Sequence, residues 1–129
     1  MTGQDYEAIK TMMEPLGISI ENVRQGGGFV FPFYIYDDFS EVPIEVLELS
    51  ERAKNALKRS GIITMADVVE KISGREDLYK LRNCGAKSVS EIMEKLFLYQ
   101  VMRKKPDKRE EYLKECVRKS VKRNEEKER

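Results

Sequence analysis

A chain of 129 residues with no histidine and a formal charge of +1 excludes several classes of function at once. Ser-His and Cys-His catalysis have no histidine to use, and bulk charge gives no general attraction for nucleic acid, so any such binding must come from a local patch. Hydrophobic residues make up 40% and charged residues 36%, which suits a compact helical core with long solvated faces and a highly charged extension.

The opening residues MTGQDYEAIK carry no basic segment followed by an apolar run, so no secretory leader is expected. From Gln4 to Glu14, the residues Tyr6, Ile9, Met12 and Met13 fall at helical spacing, and Pro15 with Gly17 ends the run. Next come Ile18, Ile20 and Val23, then Gly26-Gly27-Gly28, then FVFPFYIY from Phe29 to Tyr36. Two β-prone runs around a loose turn predict a β-hairpin or an extended arm. Pro32 has no amide donor and places its strand at an edge or a bulge. No helix opening on Lys-Ser or Lys-Thr follows the glycines, so they read as a turn and not as a phosphate cradle. The run FVFPFYIY either covers the helical core or pairs with another protein through its edge.

From Asp37 the texture changes. Residues 37–48 (DDFSEVPIEVLE) are acidic, and Ser50 stands as an N-cap before ERAKNALKR, with Gly61 just past the end. Ala53, Ala56 and Leu57 line one face of that helix. Thr64 opens a second helix, and Asp67 completes a capping-box pattern. Val68, Val69 and Ile72 form its buried stripe, and Gly74 closes it. A short helix over 75–81 contributes Leu78 and Leu81. After Asn83-Cys84-Gly85-Ala86-Lys87-Ser88 a longer helix buries Val89, Ile92, Met93, Leu96 and Phe97.

Pro106 interrupts the pattern and Asp107 can cap a last helix, whose thin apolar stripe is Tyr112, Leu113, Cys116, Val117 and Val121. Beyond Asn124 no apolar residue remains, and the end is expected to fray. Residues 1–40 hold two bases against six acids, residues 41–100 ten of each, and residues 101–129 twelve bases against seven acids. The charges of the last helix are either a solvated face with i,i+4 pairs or a basic surface that adds to phosphate attraction. The expected domains are 1–40 (helix and aromatic hairpin or arm), 41–103 (helical module) and 104–129 (charged helix or tail).

Cys84 and Cys116 lie far apart and have no histidine partner, so they read as reduced thiols of an intracellular protein. No metal site and no cofactor is expected. With no run near 18 apolar residues, no GxxxxGK[ST] loop and no nucleophile–base pair, the expectation is a soluble, cytoplasmic, non-enzymatic protein without membrane contact.

The most informative pattern is Leu78-x-x-Leu81, a short step, Gly85, and a helix opening near Lys87-Ser88. This is the layout of a helix-hairpin-helix. Gly85 lets the backbone approach a phosphate with no Cβ in the way, and the free amides of the following helix point at the anion. Lys87 adds a charge and Ser88 a hydroxyl. The bland alternative is a hairpin whose glycine serves packing alone.

Together, Pro43–Lys58 (PIEVLELSERAKNALK) and Leu78–Ile92 (LYKLRNCGAKSVSEI) resemble the C-terminal domain of the bacterial RNA polymerase α subunit. The shared features are a Leu-Glu-Leu-Ser lead, an Arg-x-x-Asn helix and an Arg-Asn-x-Gly-x-Lys-Ser hairpin. The flanks do not resemble that subunit, so the expectation is a free-standing small protein carrying such a module. The implied fold is mainly α: a four-to-five-helix, SAM-like helix-hairpin-helix bundle, here with an N-terminal helix, a β-hairpin or extended arm, and a long charged C-terminal helix.

The resemblance implies that Arg52 inserts into an A·T-rich minor groove with Asn55 supporting it. It further implies that Asn83, Gly85, Lys87 and Ser88 hold phosphate and sugar, and that Glu48 matches an acidic position that meets the σ factor. Three departures stand out: Val46 where the family often has Asp, Glu51 beside Arg52, and Ala86 where a basic residue is common. Arg52 could instead pair with Glu48 or Glu51, and Asn55 and Asn83 could be caps. The leading expectation is weak, salt-sensitive, transcription-related DNA binding that prefers A·T-rich shape over a defined base string. One alternative is a module that binds RNA polymerase, σ factor or a regulator; another is a homodimer built through the arm and the last helix.

Overall fold

The structure is a computed structural model that describes residues 3–26, 28–34 and 40–127. Gly27, the last two residues of FVFPFYIY and the acidic pair Asp37-Asp38 lie outside the described residues. The helices are α1 (Gly3–Met13), α2 (Ile20–Gln25), α3 (Glu51–Arg59), α4 (Met65–Lys71), α5 (Arg75–Tyr79), α6 (Ala86–Arg103) and α7 (Pro106–Lys127), with 3-10 turns at Glu14–Leu16 and Ile44–Leu47. Among the described residues there is no strand, only an isolated antiparallel bridge between Pro43 and Thr64. The protein is mainly α, as the sequence predicts. It divides into two compact units, residues 33–96 and residues 1–32 with 97–129.

In the first unit the starts of α3, α4 and α5 are fixed by local bonding. The Ser50 hydroxyl accepts the Ala53 amide at 3.3 Å and caps α3. Thr64 and Asp67 close the expected capping box: the Asp67 amide donates to Thr64 Oγ1 (3.2 Å), and the Thr64 amide to Asp67 Oδ2 (3.1 Å). Asp67 also takes the Ile63 amide, and these donors hold its carboxyl below the usual aspartate value. Asp77, in the first turn of α5, does the same, accepting from the Ser73 amide and hydroxyl at 2.8 Å each. Ile44, Leu47, Ala53, Ala56, Leu57, Ile62, Met65, Val68, Ile72, Leu78, Val89 and Ile92 are buried. Each large member contributes about 1.5–3 kcal/mol through burial. Val69 and Leu81 are only half-buried, and α5 ends at Tyr79, two residues short of the expected boundary.

The second unit departs from expectation in two places. Residues Ile18–Val23 do not form a strand. The Ser19 amide donates to Asn22 Oδ1 at 2.7 Å, a local bond that starts α2, and Ile20 and Val23 bury at i,i+3 spacing. The segment after the glycines is therefore an extended arm and not half of a hairpin. Its backbone groups bond to side chains of α7: the Val30 amide donates to Ser120 Oγ (2.9 Å), and the Tyr112 hydroxyl donates to the Pro32 carbonyl (2.8 Å). Phe29 and Phe31 meet Phe97 edge-on, with centroids 5.8 and 5.4 Å away.

The second departure is in α7. The helix is continuous to Lys127, where the sequence predicts fraying past Asn124. Tyr112, Leu113 and Cys116 are buried as predicted, but Ser120 completes the stripe while Val121 stands 50% exposed. The hydroxyl of Ser120 is satisfied by Val30 and by the Cys116 carbonyl at 2.8 Å, so a polar residue serves the inner face. Burial pushes the Cys116 thiol up to about 12, so it is chemically inert at neutral pH.

Candidate nucleic-acid interface

Two elements of the 33–96 unit face a common cleft. On α3, Arg52, Asn55 and Arg59 follow one another at i, i+3 and i+7 and so share a helix face. From the opposite side come Leu81, Asn83, Cys84 and Gly85, the step that joins α5 to α6. Together these residues line a cleft of about 610 Å³. No carboxylate is among them. Two guanidiniums, two amides and one glycine backbone make a cleft that is positive and rich in donors.

The step is held by short-range backbone bonds. The Leu81 amide donates to the Leu78 carbonyl (3.1 Å), the Cys84 amide to the Leu81 carbonyl (3.3 Å), and the Val89 amide to the Gly85 carbonyl (2.9 Å). Asn83 takes the left-handed conformation at φ 61°, which Asn tolerates better than most residues. Gly85 needs no unusual φ, and a Cβ there would meet nothing within 4 Å. Its open side therefore leaves room for a ligand to come close to the backbone. In the first turn of α6 the amides of Ala86, Lys87 and Ser88 precede any possible intrahelical acceptor, and the helix macrodipole adds partial positive charge there.

Arg52, Asn55, Asn83 and Gly85, the central sequence candidates, are brought together in this cleft. Lys87 is exposed on the first turn of α6 and is not among the lining residues. Ser88 is 6% exposed, so what it can offer a ligand is its amide more than its hydroxyl. Glu48 lies apart, exposed at φ 54° where it ends the 3-10 turn.

Neither Glu48 nor Glu51, the suspected internal partners, pairs with Arg52. Glu51 pairs with Lys54 at 2.8 Å, and each holds the other's charged form: the Glu51 carboxyl lies below its usual value and the Lys54 ammonium above. Arg52 and Arg59 form no ion pair with a described residue. The acid that sequence places beside the cleft is thus neutralised one turn along α3, and the same bond takes up Lys54.

Sequence reasoning missed two residues. Arg59 was visible in the i, i+7 spacing from Arg52. Glu91 was not, because its partner is far along the sequence. Its Oε2 accepts the Ser50 amide at 2.5 Å and its Oε1 the Ser50 hydroxyl at 2.8 Å, fastening the start of α3 to α6. That clamp ties α3 to α6, the helix that follows the step.

Two helices, a tight step with an open glycine, and a basic helix face across from it define the helix-hairpin-helix class. Residues 36–97 match the family of the bacterial RNA polymerase alpha subunit's C-terminal domain, and this segment is an α C-terminal-domain-like module. Similar proteins are the DNA-directed RNA polymerase subunits alpha of Syntrophomonas wolfei subsp. wolfei (50% identity over 46% of this protein and 18% of that subunit) and of Symbiobacterium thermophilum (43% over 52% and 21%). That of Cutibacterium acnes is 36% identical over 67% of this protein and 26% of the subunit. The match thus spans only about a fifth to a quarter of the length of these relatives. No solved structure gives a significant match. Among the described residues no helix is long and apolar enough to cross a membrane, and no group of three acids or cysteines could hold a metal ion.

Proposed function

We propose that the module binds DNA weakly in the cytoplasm, in a transcription-related role and without catalysis, by setting the cleft over the minor groove and adjoining backbone. The observation that carries this reading is the meeting of Arg52, Asn55 and Arg59 with Asn83 and Gly85 around one acid-free cleft. Arg52 enters an A·T-rich minor groove, whose narrow walls concentrate negative potential and favour a guanidinium over an ammonium. Asn55 supports it, and Arg59 follows the same groove edge. Asn83, the Gly85 backbone, Lys87 and the first-turn amides of α6, that of Ser88 included, hold phosphate and sugar. Readout of this kind selects shape and A·T content, not a base string. The test is fluorescence anisotropy on A·T-rich and G·C-rich duplexes at low salt, with wild type and Arg52→Ala. Tighter A·T binding that the variant loses supports the reading; no binding to either duplex, or an Arg52→Ala curve that overlays wild type, refutes it.

A second reading has the module bind RNA polymerase, σ factor or a regulator. It draws on Val46 and Ile63, which are 42% and 46% exposed on segments joined by the Ile44 amide to Ile63 carbonyl bond (3.0 Å). Retention of polymerase subunits from a nuclease-treated extract by wild type, and their loss with Ile63→Asp, would favour it.

A further inference from the structure

The 33–96 module is nearly balanced in charge, with ten bases against twelve acids. Its cleft can orient a duplex, but the module as a whole exerts little long-range pull. The surplus of cations is in residues 101–129, and α7 concentrates part of it. Arg118, Lys119 and Lys122 are all exposed. At 100° per residue they fall within an arc of about 100° and span about 6 Å of helix axis. No acid lies between Glu115 and Glu125, and none of the three forms an ion pair with a described residue.

The inner face of α7 cannot turn outward to mask them. Tyr112 and Ser120 are bonded to the arm at Pro32 and Val30, and Leu113 and Cys116 are buried. The cations are thereby displayed on a fixed helix and not on a loose tail, which lowers the entropy lost when they meet a ligand. A duplex carries one phosphate charge per about 1.7 Å of axis, so the length these side chains span presents several phosphates.

We infer that Arg118, Lys119 and Lys122 form a second, sequence-independent contact with the DNA phosphate backbone. This contact supplies attraction that the balanced module lacks, while the cleft supplies the preference for A·T shape. The inference rests on the DNA-binding reading of the module. It assigns affinity and selectivity to different parts of the protein, and that division can be measured.

The experiment uses the whole 129-residue chain and follows anisotropy on the A·T-rich and G·C-rich duplexes from about 50 to 200 mM salt. Wild type, Arg52→Ala and the triple variant Arg118→Gln/Lys119→Gln/Lys122→Gln are compared. Circular dichroism checks that the triple variant is folded, and Gln preserves helix propensity at exposed positions. Each lost phosphate contact should flatten the log K against log salt slope by about 0.9, so three lower it by about 2.7. Between 50 and 200 mM the wild type then loses about fortyfold more affinity than the triple variant. The A·T to G·C ratio stays as in wild type. Arg52→Ala gives the converse: a changed ratio and a slope altered by one contact at most.

If wild type binds and the triple variant keeps its slope and affinity, the second contact is refuted while the cleft reading stands. If the triple variant changes the ratio, the cations read shape and the division fails. If wild type binds neither duplex, the cleft reading itself falls, and the second contact with it. Binding of single-stranded RNA in preference to both duplexes, lost in the triple variant, would also overturn the proposal by reassigning the patch.

Discussion

Glu91 lines no part of the cleft, yet its removal should weaken both the fold and the binding. Its two oxygens accept the amide and the hydroxyl of Ser50 at 2.5 and 2.8 Å. Hydrogen bonds to a charged group are worth about 1.5–3 kcal/mol each when shielded, and this pair is exposed, which lowers the figure. Glu91→Ala should therefore cost about 1.5–2 kcal/mol in all, on the order of 5–10 °C in thermal midpoint. Ser50→Ala loses its N-cap bond to Ala53, worth about 1 kcal/mol, together with the hydroxyl bond to Glu91. A double-mutant cycle then isolates that hydroxyl bond, with an expected coupling of about 0.5–1.5 kcal/mol. Urea unfolding followed by circular dichroism gives all four stabilities, and anisotropy on the A·T-rich duplex gives the affinities. With α3 no longer fastened to α6, affinity should fall in Glu91→Ala although no contact residue has changed. Additivity within about 0.3 kcal/mol would show that the hydroxyl bond contributes nothing, and an unchanged affinity in a destabilised Glu91→Ala would show that the clamp does not set the cleft.

Two further outcomes follow from local geometry. Gly85→Ala adds a methyl group into open space at an ordinary φ, so stability should hold or rise by up to about 1 kcal/mol, while duplex affinity drops severalfold as the backbone is kept off the phosphate; equal affinity would show that no phosphate approaches there. The carboxyls of Asp67 and Asp77 lie below the ordinary 3.8 because amide and hydroxyl donors favour their charged forms. A depressed folded value means that their contribution is complete above the unfolded value and disappears as pH falls through the folded one. Thermal midpoints should therefore decline as pH falls below about 4, and Asp67→Ala, with one capping carboxyl gone, should decline less steeply; parallel curves would place the acid sensitivity elsewhere.

Most of the module was legible because its signals are local. Ser50 before α3, the Thr64–Asp67 box and the Asn83–Ser88 step each involve residues a few positions apart, and their chemistry acts whatever the rest of the protein does. The same locality at Ser19 and Asn22 explains why two β-branched residues that suit a strand sit in α2 instead. The arm was legible as extended but not as to its partners, since Ser120 and Tyr112 lie 80 residues or more along the sequence. Ser120 displaced Val121 from the buried stripe for the same reason: apolarity ranks valine first, but only the folded arm supplies the backbone groups that make a buried hydroxyl favourable. Arg59 needed only the extension of a spacing already noted. Glu91 needed the structure.

Asn83 shows how narrowly one position of the cleft is specified. Its backbone is left-handed, which restricts the ready choices to Gly, Asn and Asp. Glycine would keep the bend and leave nothing to offer a ligand. Aspartate would keep the bend and set a negative charge in a cleft shared with Arg52 and Arg59. Asparagine alone makes the turn and presents a neutral amide that can both donate and accept, so one residue answers a steric demand and an electrostatic one together.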